Sequence, residues 1–375
     1  MIITADLHLG KVSDSTRLKN GMMSQIHDTS VRLMELSEAA ALTCESIVVA
    51  GDIFHTVNPK TEIIKVFLDW LGILNESKIS IYLMAGNHDC GVDWANIAML
   101  SGLSLPFVKV IGSPGSVEIE GRKVLCVPHI PLKDLEAIQK DSGDLGTWLS
   151  SRFSSSELVI GHGMIRGLEY KNDIFFEAGD ALEIDLRTFP KFKLMVLGHV
   201  HKHTVYLQKN SVVVYPGSDT IKNFGEVTDE KGYLRVDPGT LAWTFVLFDS
   251  EVTPYRDITI DLVSKDEVVL DDATLKSSSM GAVVKIKVLA RDRMQIDETA
   301  LRRAFNRYGY VSRFETIIQK SGKSEIDSGD DASIHFDLSH DRLVTEYVTA
   351  LDEKEEIKKL AISMGKEIIR EVLNA

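Results

Sequence analysis

The chain has 375 residues, of which 44% are hydrophobic and 26% are charged, so it is long enough for two domains with ordinary globular cores. Its formal net charge of −13 argues against a free-standing protein that binds nucleic acid tightly, because lysine and arginine contacts to phosphate dominate such affinity. No apolar run approaches the roughly 20 residues of a membrane span, and the cysteines form no CxxC pair, so we expect a cytoplasmic protein with reduced thiols.

Strand-like and helix-like segments alternate through the first ~260 residues, which is typical of α/β proteins. The clearest helical patterns are Met22–Leu42 and Thr61–Leu74. The predicted strands are Ile2–Ala5, Ile47–Ala50, Ile79–Ala85, Val124–Val127, Leu158–Ile160, Leu194–Leu197 and Val212–Tyr215. Several of them are apolar on both faces, as expected of strands that are covered on each side. Shorter alternating strands around Tyr233–Arg235 and Ala242–Phe248 predict an α/β sandwich whose second sheet is more antiparallel.

Five apolar runs end in Gly, Ala or Thr and then in residues that bind metals. They are Ile2–His8 (IITADLH), Ile47–His55 (IVVAGDIFH), Ile79–Asp89 (ISIYLMAGNHD), Leu158–His162 (LVIGH) and Leu194–His201 (LMVLGHVH). Because each motif follows a strand-like run, the set indicates a site at the carboxyl ends of parallel strands. Oxygen and imidazole donors suit Mn²⁺, Fe or Zn²⁺. Two ions ~3.5–4 Å apart need a bridging carboxylate, and Asp52 is the natural bridge. Metal-assisted phosphoester hydrolysis is the leading interpretation.

The composition changes after the predicted sandwich. Val263–Gly281 is rich in Asp, Ser and Lys, and we interpret it as a linker. Val283–Leu289 then alternates like a half-buried strand, and Asp297 is a good N-cap for a following helix. Val311–Gln319 has the pattern of a returning strand. These elements predict a small β-α-β domain.

Two helices are predicted at the end of the chain. His340–Leu351 comes first, and Lys354–Leu373 then places apolar residues along one stripe, with Lys and Glu opposite. Such a stripe favours docking on another surface, although packing on its own domain is an equally ordinary explanation. We therefore divide the chain into a main domain at 1–265, a small capping domain at 278–336 and C-terminal helices at 339–375.

The five motifs resemble those of the calcineurin-like metallophosphoesterase superfamily. Within it, Gly51–His55 (GDIFH) and Ala5–Gly10 (ADLHLG) resemble the SbcD-type nucleases, the catalytic subunits of complexes that repair DNA double-strand breaks in cells and in some large phages. Most superfamily members carry Asp where this chain has His55. The resemblance implies a metallophosphoesterase-type α/β sandwich. The C-terminal third agrees only in layout, with a capping domain that faces DNA and then helices.

The resemblance also implies a role for individual residues. It implies two divalent metal ions, the first held by Asp6, His8, Asp52 and His201 and the second by Asp52, Asn87, His162 and His199. Manganese is expected first, with magnesium, iron or zinc as alternatives. His88 is expected to contact the scissile phosphate and to stabilise or protonate the leaving oxygen. His55 is expected to position the substrate, and Asp89 to orient His88.

Basic residues near three of the motifs are candidate contacts to DNA phosphates, because loops at the carboxyl ends of the strands surround the metals. They are Lys11, Arg17, Lys19, Arg166, Lys171 and Lys202. For each of them an ordinary solvated role fits at least as well. The resemblance further implies a homodimer within a heterotetramer, whose other component is an SbcC-type coiled-coil ATPase that binds the C-terminal helices. The expected location is the cytoplasm, or the host cytoplasm for a phage protein.

Three functions remain in competition. The first is a manganese-dependent nuclease, with exonuclease activity on double strands and endonuclease activity on single strands, that acts in an ATP-regulated complex in recombination and repair. The second is a phosphomonoesterase or phosphodiesterase for a small substrate, which would not need the extension at 282–375. The third is a scaffold that keeps the fold without turnover. A scaffold predicts lost ligands, and no motif position is missing.

Overall fold

The computed structural model describes residues 1–11, 18–19, 22–91, 102–167, 181–263, 270–290 and 296–318. These ranges all belong to one unit, Met1–Lys320. The candidate DNA contacts Arg17 and Lys171 lie outside the described residues, and so do the predicted helices at 339–375. Within the described ranges, no helix combines the length and the hydropathy that a bilayer span requires.

The described elements follow the predicted order. The helices are α1 (Ser24–Thr43), α2 (Thr61–Glu76), α3 (Leu132–Ser142), α4 (Leu145–Arg152), α5 (Asp272–Ser279) and α6 (Glu298–Phe305). The strands are β1 (Ile2–Thr4), β2 (Leu18–Lys19), β3 (Met22–Met23), β4 (Ile47–Ala50), β5 (Ile81–Met84), β6 (Val108–Ile111), β7 (Gly115–Ile119), β8 (Arg122–Val127), β9 (Leu158–His162), β10 (Met164–Ile165), β11 (Glu183–Ile184), β12 (Leu194–Gly198), β13 (Thr204–Leu207), β14 (Val212–Tyr215), β15 (Gly232–Val236), β16 (Trp243–Leu247), β17 (Tyr255–Asp261), β18 (Val283–Ala290) and β19 (Tyr310–Ile318). Every strand and helix predicted before residue 263 forms.

Two six-stranded sheets make the centre of the molecule. Their strand orders are β16-β15-β1-β4-β5-β6 and β13-β14-β12-β9-β8-β7. Ile3, Val48 and Met84 of the first sheet share one buried cluster with Cys126 and Ile160 of the second. Because successive side chains of a strand point to opposite faces, the neighbours of these residues face the helices. The sandwich therefore has a core between its sheets and a core on each outer side.

The outer faces of the sheets are covered by helices. Ile2 and Val49 pack in a cluster with Leu36 of α1 and Phe67 of α2. On the second sheet, a separate cluster holds residues of β8, β9 and β12 together with residues of α3 and α4 such as Leu149. The layer order is helix, sheet, sheet, helix. The predicted α/β sandwich is confirmed.

The expectation of a more antiparallel second sheet is wrong. The hairpin of β15 and β16 joins the first sheet, where β15 pairs antiparallel with β1. Among the described strands, each sheet then has three parallel and two antiparallel pairings. Strands β4, β5 and β6 follow one another on the same side of β1. Without the hairpin, the other side of β1 would be an unpaired edge of the sheet. The hairpin covers that edge, with Leu234 and Val236 buried between the sheets.

Parallel pairing brings the ends of five strands to one edge of the sandwich. In the first sheet Thr4 pairs with Val49 and Ala50 with Met84, while in the second sheet Gly198 pairs with His162. The two sheets touch at this edge. A Cβ on Gly198 would lie 2.0 Å from the carbonyl oxygen of Ala50, so only glycine permits the approach. The polar residues that follow these strands are thus forced into one place.

A third sheet, β17-β18-β19, follows the sandwich. The predicted strand, helix and returning strand form as β18, α6 and β19, and the Asp297 carboxylate caps α6 by accepting from the amide of Ala300. The predicted linker Val263–Gly281 is wrong in its second half, because Asp271 caps α5 there and Leu275 is buried under the sheet. Strand β17 also pairs with β18, so this sheet starts before residue 265. The domain boundaries themselves stay a prediction.

Candidate metal centre

The loops that follow β1, β4 and β12 have an unusual backbone. Asp6, His8, Asp52 and His199 have φ angles of 54°, 42°, 51° and 98°. Such left-handed conformations are costly for residues with a Cβ, and they persist where surrounding contacts hold them. Here hydrogen bonds between the loops stabilise these conformations. The Asp6 amide donates to the Gly51 carbonyl oxygen (3.1 Å), and the His8 amide donates to the Asp52 carbonyl oxygen (2.9 Å). The His199 amide donates to both carboxylate oxygens of Asp6, at 2.9 and 3.0 Å. Backbone contacts thus aim the side chains inward.

One group of potential ligands comprises Asp6, His8 and His201. Their donor atoms lie within 4.8 Å of one another. The Nε2 atoms of His8 and His201 are 2.9 Å apart, so both imidazoles point at the same spot. Asp6 is fully buried and His8 is nearly so. We call these three side chains the first group.

The second group comprises Asp52, His162 and His199, again within 4.8 Å of one another. The amide oxygen of Asn87 lies between the two histidines, 3.0 Å from His162 Nε2 and 3.1 Å from His199 Nδ1. His162 Nδ1 lies 2.9 Å from the carbonyl oxygen of Ala50. Because a carbonyl oxygen only accepts, Nδ1 is the donor and Nε2 is the nitrogen that faces the group.

Asp52 faces both groups. Its Oδ2 is 3.4 Å from His8 Nε2, and its Oδ1 is 3.5 Å from His162 Nε2. A Cβ on Gly86 would lie 2.1 Å from Asp52 Oδ1, so the carboxylate fits only against glycine. A carboxylate with one oxygen toward each of two sites has the arrangement that a bridging ligand needs.

Burial and neighbouring charge set the protonation of these groups. Burial raises the pKa of Asp6 to about 6, against the opposing effect of nearby histidines. Burial also disfavours the charged form of Asp52, but the cationic His162 ring outweighs it and holds the pKa of Asp52 well below its usual range. The same pairing raises the pKa of His162 to about 9, although burial acts to lower it. Burial and His162 lower the pKa of His199 to about 3.

The donor set fits a pair of divalent cations. Each group offers one carboxylate and two imidazoles, and Asn87 adds an amide oxygen to the second. Such mixed oxygen and nitrogen sites suit divalent first-row metals and contain no thiolate that would favour softer ions. The positive charge that His162 carries beside Asp52 is the charge that a bound cation would supply instead.

His55 and His88 stand beside the first group on the less buried side. With His8 they form a further set whose ring nitrogens lie within 4.8 Å. The rings of His55 and His88 stack with centroids 5.1 Å apart and 20° between their planes. His88 Nδ1 lies 2.9 Å from the carbonyl oxygen of His55, and the His88 amide donates to Asp52 Oδ1 at 3.0 Å. Burial and His88 lower the pKa of His55 to about 4.

Asp89 does not orient His88 as we predicted. Its buried carboxylate accepts from the amides of Ile53 (3.0 Å), Phe54 (2.9 Å) and Gly86 (2.9 Å). It therefore ties the loop after β4 to the loop after β5. The contact that the His88 ring makes is instead with a backbone carbonyl, that of His55, 2.9 Å from His88 Nδ1.

The described candidate DNA contacts have different surroundings. Burial and His88 have the largest effects on the pKa of His55, and the charge of Lys11 lowers this pKa further. Lys11 therefore lies near the metal centre. Arg166 Nε donates to Glu183 at 3.0 Å, and Lys202 Nζ lies 3.3 Å from Asp229. Lys19 belongs to the short strand β2.

The sequence motifs missed a set of buried charged residues behind the first group. Glu226 is 1% exposed, and its carboxylate accepts from His201 Nδ1 at 2.9 Å. Lys222 is buried beside it, and the mostly buried Lys231 side chain forms an ion pair with it. The one signal for them is that the run Val212–Tyr215 ends in Pro-Gly, and this strand is parallel to β12 and so ends at the same edge.

Known proteins share these features of the chain. The model of the calcineurin-like phosphoesterase family matches residues 1–203, more than half of the chain and all residues of both groups. The SbcD subunit of the nuclease SbcCD from Staphylococcus epidermidis is 27% identical over a 256-residue alignment that covers 63% of the chain. The match covers 65% of that protein, just under two thirds of its length.

Two solved structures also align with the chain at low identity. An archaeal phosphodiesterase is 14% identical, with 66% of the chain and 98% of that structure covered and a TM-score of 0.32. A conserved uncharacterised protein from Streptococcus pneumoniae, described as a predicted phosphoesterase, is 13% identical, with 68% and 91% covered and a TM-score of 0.28.

Proposed function

Because the chain belongs to the calcineurin-like phosphoesterase family and is a metal-dependent phosphodiesterase, we propose that it is a DNA nuclease that uses two metal ions. The observation that carries the proposal is that Asp52, the carboxylate of the second group, directs one oxygen toward each group. The relative from Staphylococcus epidermidis, itself part of a nuclease, supports DNA as the substrate.

Seven side chains hold the ions in this proposal. The first ion is held by Asp6, His8, Asp52 and His201, and the second by Asp52, Asn87, His162 and His199. When bound, the two divalent cations, manganese first, lower the pKa of a coordinated water and neutralise negative charge on the phosphate oxygens. Two carboxylates balance only part of the charge of two divalent cations. The centre therefore stays attractive to an anionic phosphodiester.

His88 acts on the leaving oxygen. The carbonyl oxygen of His55 accepts from Nδ1, so Nε2 is the nitrogen that can reach a substrate. From this position the ring stabilises or protonates the departing sugar oxygen. His55 supports this position by stacking on His88. A cleft of about 440 Å³ adjoins Asn87, within the ~300–1,000 Å³ range of ligand pockets, and gives the flanking nucleotide room.

The assembly belongs to the same proposal. DNA is delivered by an SbcC-type coiled-coil ATPase, which binds residues 339–375, and two copies of the chain form the dimer of the complex. Such a partner accounts for a net charge of −13 in a DNA enzyme, because the polymer is held by another protein of the complex. Deletion of 339–375 is expected to abolish association with the ATPase while manganese-dependent hydrolysis remains. Co-purification of the shortened chain with the ATPase would refute residues 339–375 as the binding segment.

The experiment compares substrates and variants. The full chain with Mn²⁺ is incubated with a linear DNA duplex, with a DNA single strand and with para-nitrophenyl phosphate. We expect degradation of both DNA substrates and little release of para-nitrophenol. Rapid turnover of para-nitrophenyl phosphate with intact DNA would instead favour a small-substrate phosphomonoesterase. His88→Ala is expected to abolish hydrolysis with nearly unchanged metal content, whereas His27→Ala on α1 should leave both unchanged.

A further inference from the structure

The loop after β14, residues 216–226, offers no ligand to either group but contacts two segments that do. The Ser218 amide donates to the carbonyl oxygen of His201 at 2.9 Å, and Ser218 forms a parallel bridge with Ala5. Lys222 Nζ donates to the carbonyl oxygen of Leu7 at 2.6 Å, between Asp6 and His8. The loop therefore packs against the backbone of both segments that carry the first group.

Close approach of this loop depends on Gly217. Its φ angle is +85°, which residues with a Cβ rarely adopt. A Cβ there would lie 2.8 Å from the carbonyl oxygen of His201 and 2.9 Å from the amide nitrogen of His203. The glycine lets the loop pack directly on the backbone that carries His201.

Glu226 lies at the end of this loop in a short 3-10 turn, Phe224–Glu226. Asn223 caps the turn by accepting from the Gly225 amide at 2.7 Å, and its own amide group donates to Glu226 Oε1, also at 2.7 Å. The turn thus aims the Glu226 side chain inward.

Each oxygen of the Glu226 carboxylate has donors. Oε1 accepts from His201 Nδ1 at 2.9 Å, and Oε2 accepts from Lys231 Nζ at 2.7 Å and from the Lys222 amide at 3.1 Å. The group is therefore a buried carboxylate that is fully hydrogen-bonded.

We propose that Glu226 is a positioning residue for the first metal ion, acting through His201. An ionised carboxylate can only accept, so the hydrogen of His201 stays on Nδ1 and the lone pair of Nε2 points toward His8, 2.9 Å away. A carboxylate on the far nitrogen of a metal-binding imidazole also increases its basicity as a ligand. The inference rests on the proposed function only in that it needs the metal centre.

The competing role is structural, since Glu226 also makes a buried ion pair with Lys231. The two roles differ in what a substitution changes. Loss of a positioning residue lowers the affinity for one ion and leaves the affinity for the other unchanged, because the second group has no contact with Glu226 among the described residues. Loss of a structural ion pair lowers the stability of the whole protein and lowers the affinity for both ions alike.

The experiment measures ion binding in the full chain. Mn²⁺ titrations by calorimetry are run on the metal-free wild type, Glu226→Ala and Glu226→Gln. We expect Glu226→Ala to weaken one of two binding steps by about 10–100-fold, the usual cost of losing such a partner. Glu226→Gln keeps an acceptor for His201 Nδ1 without the charge, so its loss should be smaller. Electron paramagnetic resonance should change from coupled manganese pairs to single ions in Glu226→Ala.

Matched controls and a second readout complete the test. Glu35→Gln changes a carboxylate of the same type, which accepts from Asp249 and Ser250, and should leave both steps unchanged. If Glu226→Ala does not fold, nitrogen-edited NMR of histidines in Glu226→Gln still reports whether His201 keeps its hydrogen on Nδ1.

Unchanged affinity at both steps in either Glu226 variant would overturn the proposal. Equal weakening of both steps together with a lower unfolding temperature would replace it with the structural role. A wild type that binds two manganese ions but does not cleave DNA would refute the proposed nuclease and leave the role of Glu226 standing.

Discussion

The two groups of the metal centre are built from similar side chains but held in different ways. In the second group, His162 Nδ1 is held by the carbonyl oxygen of Ala50, a backbone atom of the neighbouring sheet, and the ring is fully buried. In the first group, His201 Nδ1 is held by the side chain of Glu226, and His201 is 22% exposed. The sheets themselves therefore shape the second group, whereas the first depends on a separate loop.

This difference indicates where each group is vulnerable. A group held by backbone atoms tolerates changes in nearby side chains but not added volume where the sheets meet. A group held by a carboxylate is sensitive to the removal of that carboxylate and of the side chains that hold it. Asp52, a member of the second group, also faces the first, so its removal should weaken both groups alike.

The largest effect is expected for Asp52→Ala. Because one carboxylate oxygen faces each group, both ions lose a ligand together. We expect the rate of DNA hydrolysis to fall by more than the roughly 100-fold that loss of an outer partner costs. Metal content and hydrolysis rates in Mn²⁺ check this. Asp69→Ala on α2, where the carboxylate is 61% exposed, is the control. Retention of two tightly bound ions in Asp52→Ala would show that Asp52 is not shared.

A smaller effect, strongest at the second group, is expected for Gly51→Ala. The φ angle of Gly51 is +89°, and a Cβ there would lie 2.1 Å from His162 Nδ1. The left-handed backbone and the overlap together should lower the free energy of unfolding by about 3 kcal/mol. Denaturant unfolding measures the loss, and manganese titration should show the second ion weakened more than the first.

Gly72→Ala is the matched control for that substitution. Gly72 lies inside α2, and a Cβ there would have nothing within 4 Å. Alanine in a helix should raise the free energy of unfolding by about 0.5–1 kcal/mol. If Gly51→Ala behaved like Gly72→Ala, the second group would not depend on the close contact between the sheets.

The second group shows what sequence can predict. Asp52 and His162 each follow an apolar run, and parallel pairing forces the ends of such runs to one edge. Strand bounds of Ile47–Ala50 and Val212–Tyr215 were predictable to the residue, because Gly and Pro mark their ends. Side chains at strand ends could therefore be brought together without knowledge of the loops.

The support of the first group could not be predicted in the same way. Glu226 lies 25 residues after His201 and belongs to no motif, and its position depends on the path of a loop. Asp89 was assigned to the wrong partner, since sequence adjacency to His88 does not reveal the amides of Ile53 and Phe54. Helix α5 was hidden in a polar stretch, where the Asp271 cap and the buried Leu275 outweigh composition.

The groups should also differ in the protons that they release on binding metal. The pKa of His162 is raised to about 9, so at neutral pH the second group holds a proton that a cation must displace. The pKa of Asp6 is raised only to about 6, so Asp6 carries a proton only near or below pH 6, and a cation displaces a proton from Asp6 only there. Affinity therefore falls as pH falls, about tenfold per unit for each proton. The affinity for the second ion should therefore depend on pH up to about pH 9, because of His162. The pH dependence of affinity that Asp6 causes should appear only below about pH 6.

Calorimetry in buffers with different ionisation enthalpies measures this release. At pH 7.5 we expect about one proton to be released with the second ion, because His162 must become neutral to bind. His162→Gln removes the titrating ring and should remove that proton. Equal enthalpies in all buffers would contradict a cationic His162 in the metal-free protein.

The smallest effect is expected for Ser218→Ala. The Ser218 hydroxyl accepts from Lys231 Nζ at 2.8 Å and lies 3.3 Å from Glu226 Oε2, so it helps to place the carboxylate that holds His201. Loss of one such hydrogen bond costs about 1 kcal/mol, or about fivefold in affinity. Manganese titration should show this change for the first ion and none for the second, because the carbonyl oxygen of Ala50 holds His162 regardless of the loop. Ser211→Ala, in an exposed turn, is the control. If Ser218→Ala weakened both ions equally, the loop would support the whole centre, and the difference between the groups would disappear.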